Sequence, residues 1–309
     1  MGLISVIGSL NMDLVVRATK MPRAGETLAG SDFHLIPGGK GANQAVAAAR
    51  AGATTAMVGC LGADAFAPVL LDSLTAAGVD IGGVTRLEGI STGTATILLE
   101  ESGQNRIIIV AGANGQVSEE RVAAQWERIA QSDLILLQHE IPLPTVHAVI
   151  ARAHTAGIRM LLNPAPIYPI PAQILAQVET LILNEIEASF LTDSPVADPH
   201  SAVDAASKLV ALGVQTAIIT LGPQGALLFS AAGGEIYQPA FQVTAVDTTA
   251  AGDTFVGGYA ASLLAGASPA EALRYASSAA ALAVTRLGAQ TSIPTRVEVE
   301  AFLAAHPSN

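Results

Sequence analysis

Cysteine is all but missing from this chain of 309 residues. Cys60 is the only one, so no disulfide can close within the chain. It lies in the apolar run VGCLG and reads as a buried thiol at a strand end. A chain without bridges is expected in a reducing, cytoplasmic compartment. Basic residues are outnumbered, 15 Lys and Arg against 26 Asp and Glu, for a net charge of −11. That balance offers no positive stripe and excludes nucleic acid as the expected partner. No apolar run approaches the roughly 18 residues of a membrane-spanning helix, so no membrane partner is expected. The opening MGLISVIGS has no basic segment ahead of its apolar residues and reads as a strand, not a signal peptide. Aromatic residues make up only 4% and charged residues 13%. Hydrophobic residues make up 50%, which excludes disorder and leaves material for a large core.

Glycine is abundant, and its placement beside apolar runs carries the reading. Residues 3–8 (LISVIG) form a near-continuous apolar run stopped by Gly8, as in a strand buried on both faces. Residues 13–36 and 90–110 alternate apolar and polar and read as short strands, with Ser102-Gly103 as a hairpin turn. These two stretches could form a small separate sheet, which would need a partner surface. A helix over 42–51, a strand over 54–61 and a helix over 64–77 closed by Gly78 lie between them. From Ser118 onward helices and strands alternate. Helices are expected over 118–129, 144–156, 199–212 and 269–286, and strands over 134–137, 158–162, 180–183 and 216–221. This pattern predicts an α/β fold, a three-layer sandwich around a mostly parallel central sheet, with residues 1–309 as one domain.

Polar clusters follow several of these strands, where open α/β sheets bind ligands. Asn11 and Asp13 follow the first and could bond sugar hydroxyls or merely close an Asx turn. Gln138-His139-Glu140 follows the strand at 134–137, and no role is given to His139. The stretch PGGKGANQA enters the alanine-rich helix. It is no Walker A loop, since Lys40 is followed by Gly41, and Lys40 could equally be a surface lysine. Asn184 and Glu187 stand one helical turn apart. They could hold a hydrated magnesium ion or form an N-terminal capping box. The stretch VTAVDTTAAGDTFVGG runs through a hydroxyl-rich turn into a helix near Ala251. Unpaired backbone N–H groups there suit a phosphate, and Gly252 permits close approach. Asp253 adds a carboxylate able to take a hydroxyl proton, although by itself it could be a helix-start residue favourable to the dipole.

Two of these strings, GGKGANQA and DTTAAGDTF, resemble the two signatures of the ribokinase-like carbohydrate kinases, in their usual order and separation. The resemblance covers essentially the whole chain. It implies ATP-dependent phosphorylation of a sugar hydroxyl, with Asp253 as the catalytic base and Ala251, Gly252 and Asp253 forming an anion hole. It places Asn11, Asp13, Gly39, Lys40, Gly41, Asn43 and Glu140 around the sugar. Asn184, Thr220, Gly222, Gly225, Gly252 and Ser277 would contact the nucleotide, with Pro223-Gln224 and Ser277 departing from the family's usual residues. Glu187 would hold Mg2+ through water. Asp247, Thr249, Ala283, Arg286, Gly288 and Ser292 would surround K+. The small sheet becomes a β lid, formed from about 13–36 and 90–110, and a homodimer contact. Ribose at its 5-hydroxyl is the expected acceptor. The alternatives are 2-deoxyribose, a ketohexose or a nucleoside, the last disfavoured by the few aromatics. A non-catalytic sugar-binding protein is a further one.

Overall fold

The computed structural model describes residues 2–307 apart from 101 and 103. Two sheets organise it. The larger has nine strands in the order β13-β12-β11-β10-β9-β8-β1-β4-β5. These are β1 (Leu3–Ile7), β4 (Thr54–Gly62), β5 (Asp80–Leu87), β8 (Leu134–Gln138), β9 (Arg159–Asn163), β10 (Thr180–Asn184), β11 (Thr216–Thr220), β12 (Ala226–Ser230) and β13 (Gly234–Gln238). Pairing is parallel from β5 through to β11, and β12 and β13 close the far edge antiparallel.

Helices cover both faces, as a sheet apolar on both sides requires. Along β8, Ile135 and Leu137 enter one core and Leu134 and Leu136 the other. The first core is completed by helices Leu143–Ala156 and Pro199–Ala211. The second is completed by Lys40–Arg50, Phe66–Ala76, Ala251–Leu264 and Pro269–Ala283. The three-layer architecture expected from the alternation is therefore present.

The smaller sheet has four strands in the order β3-β2-β6-β7. It is built from β2 (Asn11–Ala18), β3 (Asp32–Gly38), β6 (Gly93–Glu100) and β7 (Asn105–Val110). Its central pair β2–β6 is parallel and the outer pairs are antiparallel. Ser102 lies in the turn expected before β7; Gly103 lies outside the described residues.

Some expectations needed correction. The helix expected over 118–129 is two short ones, Glu119–Ala124 and Trp126–Ile129, broken at Gln125. Ser118 caps the first by accepting from the Arg121 N–H. The helix entered at PGGKG starts at Lys40 and not at Ala42, because Gly39, at φ 89°, ends the preceding strand segment. The helix expected over 269–286 stops at Ala283. Strand β5 and the final helix Arg296–Ala305, opened by a Thr295–Glu298 capping box, were not anticipated.

Candidate active site

Helix Ala251–Leu264 begins after Ala250, whose φ of 58° lies in the left-handed region that alanine rarely adopts. The Ala251 N–H reaches the Thr248 carbonyl at 3.3 Å. The Gly252 and Asp253 N–H groups have no hydrogen-bond partner among the described residues. Apart from its chain neighbours and the helix's own backbone, no described residue lies within 4 Å of where a Cβ on Gly252 would stand, so the approach is open. This is a helix terminus ready for an anion.

The Asp253 side chain turns inward and is buried. Asn43 Nδ2 donates to its Oδ2 at 2.9 Å, and Gln44 Nε2 donates to its Oδ1 at 3.0 Å. Both amides come from helix Lys40–Arg50, which packs unusually close: a Cβ on Gly257 would stand 2.5 Å from Ala47 Cβ and 2.7 Å from the Gln44 carbonyl oxygen. Small residues at this crossing bring the two helix starts together. Gln44 was given no role from sequence, yet it is the hub of a buried chain. Its Oε1 accepts from Gln138 Nε2 at 2.6 Å, and its Nε2 also donates to Asn163 Oδ1 at 3.1 Å. Gln138 and Asn163 are each the last residue of an apolar strand, and that position was the available signal.

On the other side of Asp253 lie the residues expected to meet a sugar. Glu140 Oε2 accepts from Ser9 Oγ at 2.6 Å and from the Lys40 N–H at 3.0 Å. Asn11 Oδ1 accepts from Asn114 Nδ2 at 2.7 Å, so part of its capacity is already used. Asp13 is buried, and its side chain has no hydrogen-bond partner among the described residues. Burial pushes its carboxyl up to about 7, and the charges of Glu140 and Asp253 push the same way. For Lys40, burial acts to lower the pKa, but the surrounding carboxylates Asp253, Glu140 and Glu187 outweigh it and the net shift is upward. Its ammonium is therefore held charged in this group. The glycines here serve the protein as much as any ligand. A Cβ on Gly39 would stand 2.7 Å from the Asn11 nitrogen, and one on Gly41 2.5 Å from the Ser9 nitrogen.

Beyond Gly252 a cleft of about 480 Å³ opens. Thr220, Gly222, Gly225, Ala251, Gly252 and Ser277 line it, together with the apolar Phe255 and Val284. Ser277 keeps its hydroxyl buried and without a partner there. Gln224 points away, donating to the Ala197 carbonyl at 2.9 Å. Asn184 does not line this cleft. Its Oδ1 accepts from the Glu187 N–H at 2.8 Å, and Glu187 Oε2 accepts from the Asn184 N–H at 2.9 Å, which is the capping box. The other Glu187 oxygen remains free of protein donors among the described residues. Burial raises the Glu187 pKa, only partly offset by the Asn184 N–H and Lys40. One hard oxygen fits a hydrated magnesium ion that takes its remaining ligands from water and phosphate. No cluster of three acidic, His or Cys side chains able to cage a metal occurs among the described residues.

The loops expected around K+ are tied to each other. Asp247 Oδ1 accepts from the Thr249 N–H at 2.9 Å and its hydroxyl at 2.6 Å, and Oδ2 accepts from the Gly288 N–H at 2.9 Å. Burial would raise the Asp247 pKa, but these donors prevail and lower it. The carboxylate is thus committed to protein donors, leaving main-chain carbonyls for a cation. Those of Asp247, Thr249, Arg286 and Gly288 accept no hydrogen bond among the described residues, which fits such an ion. The Ala283 carbonyl accepts from Arg286 N, and Ser292 Oγ is turned to the Ala289 carbonyl at 2.8 Å. The Arg286 side chain pairs with Glu298 at 2.6 Å, outside the loop. Arg50, unremarked in the sequence, fixes the same loop through the Gln290 and Ile293 carbonyls at 2.8 and 2.6 Å.

A buried carboxylate beside two free amide groups, set between a carboxylate-lined pocket and an open cleft, suits phosphoryl transfer to an alcohol. The class defined by this fold and site is an α/β phosphotransferase. The model of the pfkB family carbohydrate kinases matches residues 1–296, and the chain belongs to that family. It is 44% identical to a ribokinase of Schizosaccharomyces pombe over 308 residues, covering 96% of both chains. A deoxyribokinase of Salmonella typhi is 36% identical, with 97% of this chain and 98% of that one covered. The solved structure of an Arabidopsis thaliana ribokinase complexed with ribose and ATP superposes at a TM-score of 0.93 and 35% identity, over 98% of each chain.

Proposed function

We propose that this chain transfers the γ-phosphoryl group of ATP to O5 of D-ribose, giving ribose 5-phosphate and ADP. The observation that carries the proposal is the placement of Asp253. It sits between the Asn11, Asp13 and Glu140 group and the cleft lined by Gly252 and Ser277. The ribokinase relatives support the choice of ribose and ATP; the deoxyribokinase keeps 2-deoxyribose as the second acceptor.

Ribose hydroxyls bind Asn11, Asp13, Asn43 and Glu140, against the backbone of Gly39, Lys40 and Gly41, with O5 turned to Asp253. The nucleotide lies along Thr220, Gly222, Gly225 and Ser277. The O5 proton passes to Asp253 as O5 attacks phosphorus and the bond to the ADP oxygen breaks. Amide groups of Ala251, Gly252 and Asp253, with the Lys40 ammonium, hold the charge on the transferred group. Phosphoryl transfer leans on positioning and charge stabilisation, and Asp253 supplies a positioned proton acceptor. Bound Mg2+ would neutralise phosphate charge, with Glu187 holding its water shell. Bound K+, among carbonyls of the Asp247–Thr249 and Ala283–Ser292 loops, would steady the anion hole. The four-stranded sheet acts as a lid on one kinase domain and as the contact of a homodimer. No described helix is long and apolar enough to cross a membrane.

The test is coupled ADP release with ATP and magnesium, in potassium or sodium, over ribose, 2-deoxyribose and fructose. Fastest turnover on ribose, raised by potassium, is the expected result. Equal rates in the two salts would remove the cation, and fastest turnover on another sugar would overturn the pocket assignment. Silence with ribose still bound by calorimetry would favour a non-catalytic sugar-binding protein.

A further inference from the structure

The sugar side of the site is a cavity of about 500 Å³, with Asn11, Asn114, Glu140 and Ile109 in its wall. Asn114 is 1% exposed and belongs to the short 3-10 helix Gly112–Gln116 that follows β7. Main-chain bonds hold it in place. The Ala113 N–H donates to the Ser91 carbonyl at 2.8 Å, and the Asn114 N–H to the Ala111 carbonyl at 2.9 Å. The Asn114 side chain reaches the stretch between β1 and β2. Its Oδ1 accepts from the Leu10 N–H at 2.9 Å, and its Nδ2 donates to the Leu10 carbonyl at 3.1 Å. A main-chain N–H only donates and a carbonyl only accepts, so this pair fixes which end of the Asn114 amide is which. The end that faces Asn11 is therefore a donor, and Asn11 meets it with Oδ1 at 2.7 Å. One amide thus orients the other. Gly93 makes room for the pair, since a Cβ there would overlap both Asn114 Nδ2 and Asn11 Oδ1. The Asn11 Nδ2 has no acceptor among the described residues and is the free end of the amide. Other side chains here offer acceptors. Glu140 Oε1 accepts from no described residue, and Asn43 Oδ1 is buried without a partner. A sugar hydroxyl has one proton to give. A hydroxyl that gives it to one of these oxygens must accept from a donor.

We propose that Asn114 is a positioning residue for the acceptor sugar: it locks the Asn11 amide so that Asn11 meets a sugar oxygen as a hydrogen-bond donor. The inference rests on the reading of Asn11 as a sugar contact. Asn114 acts through Asn11, because all three hydrogen bonds of its own side chain go to protein atoms. Released from Asn114, the Asn11 amide is free to turn over and present Oδ1, one more acceptor among acceptors. The hydroxyl it meets then either lacks a donor or withdraws its proton from Glu140 or Asn43. One hydrogen bond is lost in both cases, which raises KM for ribose about tenfold. The nucleotide cleft shares no wall residue with this cavity, so KM for ATP is unaffected.

The test is a double-mutant cycle read as KM for ribose and KM for ATP. Asn114→Asp keeps an acceptor for the Leu10 N–H and replaces the donor with a second carboxylate oxygen, which draws the Asn11 Nδ2 to itself. KM for ribose should rise about tenfold, and in Asn114→Ala at least about threefold, with KM for ATP unchanged in both. In an Asn11→Ala background the same substitutions should change KM for ribose by less than about twofold. Persistence of the full effect in that background, or a parallel rise in KM for ATP, overturns the positioning role. An Asn11→Ala chain with unaltered KM for ribose overturns the sugar contact on which the inference rests. Absence of ribose turnover in the unaltered chain overturns the proposed function itself. Should the substitutions of Asn114 prevent folding, the unaltered chain still decides. With nitrogen-15 in its asparagine side chains, the Asn11 amide signals, assigned by their loss in Asn11→Ala, should shift when ribose is added. Signals that stay in place while ribose binds overturn the donor role.

Discussion

Asn43 and Gln44 each donate to a different oxygen of Asp253, so both lone-pair faces are oriented before any hydroxyl arrives. Such holding favours positioning over basicity. Asp253→Asn keeps the size of the side chain and removes the proton acceptor. It is expected to lower kcat by at least about 10²–10⁴ while ribose binding by calorimetry persists. Near-normal turnover would remove Asp253 from the chemistry. Asp13 carries a different prediction. Its carboxyl moves from an ordinary 3.8 to about 7, chiefly through burial. Between these values the folded chain keeps a proton that the unfolded chain has lost. Stability from this group is therefore present at low pH, falls as pH rises through that window, and is lost above about 7. Asp13→Asn should raise the melting temperature at pH 8 more than at pH 4, while weakening ribose binding. An equal change at both pH values would contradict the shift.

At the scale of elements, the crossing of helices Lys40–Arg50 and Ala251–Leu264 makes the base, and a distant helix shapes the nucleotide cleft. Phe241 lines that cleft. Phe302 of helix Arg296–Ala305 meets its ring edge-on at 5.2 Å, and His306 stacks on Phe302 at 4.2 Å. Arg274 lies 5.3 Å over the Phe241 ring and donates to the His306 carbonyl. The final helix thus acts as a positioning element. An aromatic pair contributes about 0.5–1.5 kcal/mol beyond its buried area. Phe302→Ala is therefore expected to raise KM for ATP about three- to tenfold, with KM for ribose and kcat unchanged. A parallel rise in both KM values would mean general loosening instead.

At the scale of the whole molecule, one face of the smaller sheet has no partner among the described residues. Asp13, Ala95 and Ile109 are opposed across β2, β6 and β7, and Ile109 lines the cavity, so that face looks toward the site. The opposite face carries Phe33 at 60% exposed, Leu35 at 49% and Ile108 at 64%, with Leu14, Val16 and Leu98 half-buried between them. An apolar sheet face of this kind is unfavourable in water and suits a second copy of the chain. The double variant Leu35→Lys, Ile108→Lys should halve the mass measured by light scattering. An unaltered chain that is already monomeric would exclude the dimer.

The order of most elements was legible in the sequence because their signals are local. An apolar run long enough for one strand, a glycine stop and a polar residue just beyond it need no knowledge of distant partners. So β1, β8, β9 and β10 were expected, while Asp13, Glu140 and Asp253 were singled out by the family resemblance beside their polar positions. Strand β5 escaped because its DIGGVTRL has two glycines and little alternation; it is a strand through its pairing with β4. The amide network was equally hidden. Asn43 and Gln44 lie 210 and 209 residues from Asp253 along the chain, and Gln138 lies 94 from Gln44. Helical spacing cannot say that two neighbouring amides will both meet one distant carboxylate. That was decided by the close crossing at Gly257, a property of two packed surfaces and not of either segment. His139 makes the same point. Its position after a strand was visible, but its burial beside Pro166 and Tyr168 arises only where distant segments fold together.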